Sequence, residues 1–300
     1  LAVLIAPGTL LAFINWGVAV CAQSNLLIFQ TDFGLKDGAV SAMKGVAMGV
    51  SANLKVFDLT HEIPAYNIWE AGYRLYQTAQ YWPTGSVFVS VVDPGVGSAR
   101  KSVVLKTKSG HYFVGPDNGQ LTLVAESLGI AEVREIDETK NRLKNSNESY
   151  TFHGRDVYAY TGARLAAGAI SFDEVGPSLP AQVIKIEYQK AVLENDIIKG
   201  NIPILDIQYG NIWTNIDKSS FAKLGLKYGD KLHVIIFNEA KKVYEGIMPY
   251  ATTFSAVPQG KPLCYVNSLL NVSFALNQQN FSQQNKVFSG PEWTVQIKKQ

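Results

Sequence analysis

The chain has 300 residues, 47% hydrophobic and only 17% charged. That is enough apolar material for one large or two ordinary domains with real cores, and it excludes disorder and coiled coil. A formal charge of +2 without any Lys/Arg-rich run leaves no electrostatic footprint for nucleic acid or an acidic membrane surface, so a small-molecule partner is the default.

Residues 1–31 carry no charge. The apolar run Leu10–Val20, followed by Cys21-Ala22-Gln23, reads as a signal peptide over residues 1–22 and predicts an exported, periplasmic or secreted protein. A membrane anchor is the first alternative, since Leu1–Val20 is about long enough to span although Pro7 and Gly8 interrupt it. A lipid-modified Cys21 is the second, and a retained cytoplasmic form is a further one. With the leader removed only Cys264 remains, so no intrachain disulfide is expected.

Leu26–Phe29 is a short apolar strand that runs through Gln30 and Thr31 into Asp32-Phe33-Gly34-Leu35-Lys36-Asp37-Gly38. A helical pattern then follows through Val40, Met43, Val46 and Val50. Two carboxylates at a strand end can bind ribose hydroxyls or an ammonium, or cap the helix, and capping is the plainer role for Asp37. The strand-loop-helix unit repeats with Lys55–Leu59, a loop holding His61 and Glu62, and an amphipathic helix from Ile68 to Tyr81. His61 beside an acid invites a metal reading, but a single loop histidine is more often a hydrogen-bonded structural residue.

Ser86–Val92 is a third strand, ending in Asp93-Pro94-Gly95-Val96-Gly97-Ser98-Ala99-Arg100. In open α/β sheets, ligands bind beyond the carboxyl ends of such strands, which puts Asp93 where chemistry is expected. Ser102–Thr107 and His111–Val114 read as a hairpin, and Pro116-Asp117-Asn118-Gly119 leads into a helix at Leu121–Leu128. Lys140–Ser149 reads as a polar surface loop. It delivers Phe152-His153-Gly154-Arg155-Asp156 to the helical Val157–Ala167, so His153 sits at a helix amino terminus, where a histidine tends to be neutral.

Pro177 to Pro180 marks a boundary. The pattern predicts an α/β domain with a largely parallel sheet over residues 25–178 and a smaller, barrel-like all-β domain over residues 181–300. Strands of the second domain are expected at Val183–Tyr188, Gly200–Ile207, Asn211–Ile216, Lys231–Phe237, Lys242–Ile247, Leu263–Val266 and Val272–Leu276, with one helix at Ser219–Leu224.

No Walker loop, dinucleotide fingerprint, zinc cysteine pair or nucleophile elbow is present. The chemical candidates are Asp32, Asp37, His61, Asp93, Arg100, His153 and Asp156. Spacing permits a carboxylate/histidine metal site for phosphoester hydrolysis or a metal-free pocket in which Asp, Arg and His act on water. Arg100 in the Asp93 loop favours the second, because a cation competes with a metal ion.

Seven ordered motifs together resemble the S-adenosylmethionine hydrolase family, the SAM hydroxide adenosyltransferases. They are Thr31-Asp32-Phe33-Gly34 with Asp37, Asp58-Leu59-Thr60-His61-Glu62-Ile63-Pro64, Asp93-Pro94-Gly95-Val96-Gly97 with Arg100, Pro116-Asp117-Asn118-Gly119, Phe152-His153-Gly154-Arg155-Asp156, Tyr209-Gly210-Asn211-Ile212-Trp213-Thr214-Asn215, and Asn267-Ser268. The resemblance implies hydrolysis of S-adenosyl-L-methionine, which is the substrate, with no cofactor and no metal. It also implies a homotrimer with sites at subunit interfaces, and a catalytic triad of Asp93, Arg100 and His153. Ribose would fall to Asp32 and the methionine end to Asp37. Adenine and methionine contacts would involve Tyr209, Asn211, Phe254 and Ser268, with Asp206 a weaker candidate and Tyr66 as aromatic lining. Leu269-Leu270 follow Ser268 where relatives often have a small residue, a departure at the methionine end.

Related fluorinases and chlorinases share the fold. The fluorinase pattern has tyrosine, threonine and serine where Asp93, Arg100 and Gly154 stand, and a long insertion where this chain turns tightly at Lys108-Ser109-Gly110. Other readings are a non-catalytic adenosine-binding protein and an unrelated metal-dependent hydrolase, the latter separable by its sensitivity to a chelator.

Overall fold

A computed structural model describes residues 24–300; the leader read over residues 1–22 lies outside them. The first half is a seven-stranded sheet sandwiched between helices. Its strands are β1 (Leu26–Thr31), β2 (Lys55–Thr60), β3 (Val87–Val91), β4 (Ser102–Thr107), β5 (Tyr112–Pro116), β6 (Ile130–Glu135) and β7 (Ser178–Leu179). The order is β2-β1-β3-β5-β4-β6-β7. The β2-β1-β3-β5 pairs are parallel and the remaining pairs antiparallel, so five of the seven strands point the same way.

The central strands are apolar on both faces because both are covered. Leu27 and Phe29 of β1 and Val87, Val89 and Val91 of β3 pack beneath α1 (Ala39–Val50) and the helix ending at Ala166. Ile28 and Phe88 face the opposite way, toward α2 (Ile68–Ala79) and α3 (Thr122–Leu128). Asn67 caps α2 by accepting from the Glu70 N–H at 2.9 Å.

The chain leaves β1 through α1 for β2 on one side, then returns through α2 to β3 on the other. Right-handed crossovers in opposite directions put α1 and α2 on opposite faces. They also open a crevice at the carboxyl ends of β1 and β3, from which the Asp32 and Asp93 loops emerge.

The second half holds two antiparallel sheets, of four strands ordered β10-β11-β15-β14 and five ordered β13-β12-β16-β9-β8. These strands are β8 (Val192–Glu194), β9 (Ile197–Asn201), β10 (Ile204–Asp206), β11 (Asn211–Asp217), β12 (Lys231–Asn238), β13 (Lys241–Pro249), β14 (Pro262–Val266), β15 (Asn271–Leu276) and β16 (Trp293–Lys299). Ile198, Ile212, Val234, Ile236, Phe274, Val295 and Ile297 share the core between the sheets. Cys264 is buried in that core as a free thiol.

The alternating segment Val183–Tyr188 forms no strand, contrary to expectation. It is a strap on the first domain. The Ile184 N–H donates to Asp117 Oδ1 at 2.8 Å, the Ile186 N–H to Thr122 Oγ1 at 2.9 Å, and Val183 enters the α2/α3 core. Across the junction Trp69 Nε1 donates to the Pro203 carbonyl at 2.9 Å.

Candidate active site

The crevice predicted by the strand order is a cleft of about 250 Å³ lined by Asp32, Tyr66, Val91, Asp93, Phe152 and His153, among others. Four chain segments distant in sequence therefore meet there, and three of them carry the acid, acid and histidine singled out above.

Asp32 follows β1 directly. Its Oδ2 accepts the Tyr66 backbone N–H at 2.8 Å, with Tyr66 held at φ +68°. Behind it, the His61 ring bridges Thr31 Oγ1 at 2.8 Å and Asp58 Oδ1 at 3.1 Å, and the His61 carbonyl accepts from Gly34 N–H at 2.7 Å. His61 is thus a buried brace for the Asp32 loop, and its ring nitrogens are both engaged.

Asp93 and Arg100 form a two-pronged pair. Arg100 Nε donates to Oδ1 at 3.0 Å and Nη2 to Oδ2 at 2.5 Å, while Nη1 reaches Ser102 Oγ at 2.9 Å. Arg100 also lies 5.7 Å over the Tyr158 ring. Burial is the largest influence on the Arg100 cation and works against it, but its bonds to Asp93 together with the electrostatic pull of Tyr158, Asp93 and Glu138 outweigh that and raise its pKa. The fork fixes the plane of the carboxylate and leaves each oxygen a further lone pair for a ligand. The loop is pinned below by Asn118 Nδ2, which donates to the Val92 carbonyl at 2.9 Å.

His153 immediately precedes a π-helical turn, Gly154–Ala159, which runs into α5 (Tyr160–Ala166). Such turns recur at functional sites because the extra residue re-aims what precedes it. Burial lowers the His153 pKa, Arg100 and Arg142 lower it further, and Glu138 and Asp93 oppose them. Gly154 is tight: a Cβ there would sit 3.1 Å from the Phe33 ring and 3.3 Å from Val91 Cγ1.

Asp37 does not line this cleft; it precedes Gly38, the N-cap of α1, and its carboxylate accepts the Ala39 N–H at 2.9 Å as the helix begins. Asp206, Tyr209, Asn211 and Phe254 line a separate hollow of about 710 Å³ in the second domain, with Gln279 and Asn280. Asn211 Nδ2 donates to Asp206 Oδ2 at 3.1 Å. Gly210, at φ +68°, passes so close to the Asn280 amide that a Cβ would overlap it, so only glycine lets this turn close. Ser268 is exposed on the turn between β14 and β15 and lines neither recess.

The cleft and the hollow share no lining residue. Each presents aromatic side chains to solvent: Tyr66 is 73% exposed, Tyr209 66% and Phe254 42%. One chain alone therefore brings the acids and the histidine together, but not with the carboxy-terminal residues.

Two polar residues beside the cleft escaped the sequence reading. Glu138, in α4 (Glu138–Asn141), and Arg142 form an ion pair at 2.7 Å next to His153. Their four-residue spacing is the only sequence signal. Among the described residues, no group of three or more His, Cys, Asp or Glu is arranged to hold a metal ion.

Comparison with known proteins adds a family. The SAM hydroxide adenosyltransferase N-terminal domain matches residues 27–176, and the corresponding C-terminal domain matches residues 200–294. A protein of Methanocaldococcus jannaschii named (R)-S-adenosyl-L-methionine hydrolase is 40% identical over 216 residues, covering 71% of this chain and 73% of that one. A fluorinase of an Actinoplanes species is 27% identical over 277 residues, covering 84% of this chain and 91% of its own length. A crystal structure of a conserved Thermotoga maritima protein superposes with a TM-score of 0.82 at 35% identity, covering 91% of this chain and 99% of that one.

Proposed function

The chain belongs to the SAM hydroxide adenosyltransferase family, and from that premise we propose that it hydrolyses S-adenosyl-L-methionine to adenosine and L-methionine. Water or hydroxide attacks the ribose 5′ carbon, the new C–O bond forms as the C–S bond breaks, and the electron pair leaves on the methionine sulfur. The leaving group is a neutral thioether, so no general acid is required. Catalysis is instead a matter of placing the nucleophile in line and removing its proton.

The observation that carries this reading is the Arg100 fork on Asp93 in the same cleft as Asp32 and His153. Asp93 accepts a hydrogen bond from the attacking water and takes its proton as the oxygen bonds to carbon. Arg100 keeps Asp93 oriented, and His153 holds the water. Asp32 has Oδ2 occupied by Tyr66 N–H and offers Oδ1 to the ribose hydroxyls. A halide approaching Asp93 would meet like charge, whereas water can donate to it.

The reading extends to assembly. The adenine end would be received by Asp206, Tyr209, Asn211 and Phe254 of a neighbouring copy in a homotrimer, with Asp37 and Ser268 at the methionine end. The exposure of the aromatic side chains around both recesses supports this, since charge is lost as hydroxide meets sulfonium and a dry site favours that step. The uncharged leader would carry the activity out of the cytoplasm.

The test is direct. Purified protein incubated with S-adenosyl-L-methionine, without added metal or halide, is expected to release equal amounts of adenosine and methionine. Chromatography that finds no adenosine above the uncatalysed background would overturn the proposal, and tight adenosine binding without turnover would replace it with a binding role. A chlorinated nucleoside formed in high chloride would move the protein to the halogenase branch.

A further inference from the structure

Glu138 and Arg142 stand beside the cleft without a part in the reaction just described. Arg142 Nε and Nη2 both donate to Glu138 Oε2, at 3.1 and 2.7 Å, and Nη2 lies 3.4 Å from His153 Nε2. The guanidinium stacks 4.6 Å from the Tyr150 ring centre. Arg142 and His153 side chains are only 8% and 5% exposed.

The segment carrying this pair is firmly seated. Asn141 Nδ2 donates to the Glu174 and Val175 carbonyls, Thr161 Oγ1 donates to the Asn141 carbonyl, and the Leu143 N–H donates to the Asp156 carbonyl at 2.8 Å. The segment is therefore tied both to the strand-flanking turn at Glu174 and to the helical run that follows His153.

A guanidinium has N–H groups on every nitrogen and no lone pair to offer. The Arg142–His153 approach is therefore attractive only when His153 Nε2 carries no proton. A neutral ring with a bare Nε2 keeps its proton on Nδ1, and Nδ1 has no hydrogen-bond partner among the described residues. We infer that Arg142, clamped by Glu138, is a positioning residue that fixes His153 as the neutral Nδ1–H tautomer. This rests on the hydrolase reading and sharpens it. With Nε2 held against Arg142 and Nδ1 protonated and buried, His153 cannot take the proton of the attacking water, which passes to Asp93.

The groups facing His153 come from three directions. Glu138 Oε1, 3.7 Å from Nε2, and Asp93 favour the imidazolium; Arg142 and Arg100 disfavour it, as does burial. The rings of Tyr150 and Tyr158, at 6.3 and 6.4 Å, complete the enclosure. Removing the Arg142 charge frees Glu138 to accept a proton-bearing Nε2, so the histidine should charge at higher pH. Removing the Glu138 charge works in the opposite direction.

The experiment uses the full chain, labelled at histidine ring nitrogens, and two readouts. Ring-nitrogen and carbon-bound proton correlations in the substrate-free wild type are expected to show His153 as neutral Nδ1–H at neutral pH. In Arg142→Gln the His153 titration should move up by about one pH unit or more. Arg142→Lys should reverse most of that shift by restoring the charge, and Glu138→Gln should not move the titration upward. An Nε2–H tautomer in the wild type, or an unmoved His153 titration in Arg142→Gln, overturns the inference. The wild-type spectrum decides even if a variant fails to fold. Absence of adenosine production in wild type would instead sink the hydrolase reading while the tautomer result stands.

Discussion

Asp32 and Asp93 are both carboxylates at strand ends, yet their partners assign them different work. Asp32 is held by one neutral backbone N–H and keeps an oxygen free, whereas Asp93 is gripped on both oxygens by a cation. Asp32→Ala is accordingly expected to weaken ligand binding by roughly ten- to a hundredfold, since a hydrogen bond involving a charged group contributes about 1.5–3 kcal/mol. Asp93→Asn preserves shape and should leave affinity nearly intact while turnover falls by about 10²–10⁴. Because the substitution leaves Arg100 without its counter-charge, thermal melts must accompany the kinetics. Calorimetric dissociation constants and single-turnover rates for both variants check the split. An Asp93→Asn protein whose binding drops as far as its rate would make Asp93 a ligand-holding group.

At the scale of elements, each site motif sits where an element begins or ends. The short helix α6 (Lys218–Ala222) is the simplest case. Asp217 precedes it, accepting the Ser219 and Ser220 N–H groups at 2.9 Å each and both hydroxyls. Partial burial opposes the charge, but these bonds prevail and depress the carboxyl to about 2. A depressed folded-state pKa means the contribution is present above the ordinary value of 3.8 and is lost as pH falls through about 2. Asp217→Ala should thus cost about 1 kcal/mol at neutral pH. In urea titrations its deficit against wild type should shrink toward zero near pH 2; a deficit independent of pH would show that charge is irrelevant to the cap. The same scale explains what the sequence could and could not disclose. β1 and β3 were legible because both faces are buried and the residues read as continuous apolar runs. β6, with the mixed sequence Ile130-Ala131-Glu132-Val133-Arg134-Glu135, and β16 gave no comparable signal. Val183–Tyr188 alternates like a strand, yet Val183 packs into the first domain's core instead of joining a ladder. Glu138 and Arg142 looked like one more solvated helix pair, because nothing local says that residues 138–142 fold back against residue 153.

For the whole molecule, the division of site residues between a cleft and a hollow has a measurable outcome. If a site is built from the first domain of one subunit and the second domain of the next, inactive Asp93→Asn and Asn211→Ala proteins should complement each other. Co-refolding equal amounts is expected to create fully native pairings at about a quarter of the interfaces in a head-to-tail ring. Light scattering should give three times the chain mass for the same sample. No recovered activity, or a monomeric mass with full wild-type activity, would mean that each chain completes its own site. The strap at Val183–Tyr188 adds a mechanical consequence. It is hydrogen-bonded to Asp117 and Thr122, and Trp69 fastens the first domain to Pro203 just before β10. The connection between the halves is therefore fastened on both sides, by the strap's bonds to the first domain and by Trp69, which also packs with Ile204 of the second. These bonds oppose jaw-like closure of one half on the other, so admission of a molecule to the cleft is expected to depend on the loops at its rim, among them the turn at Tyr66 and the one after Asp93.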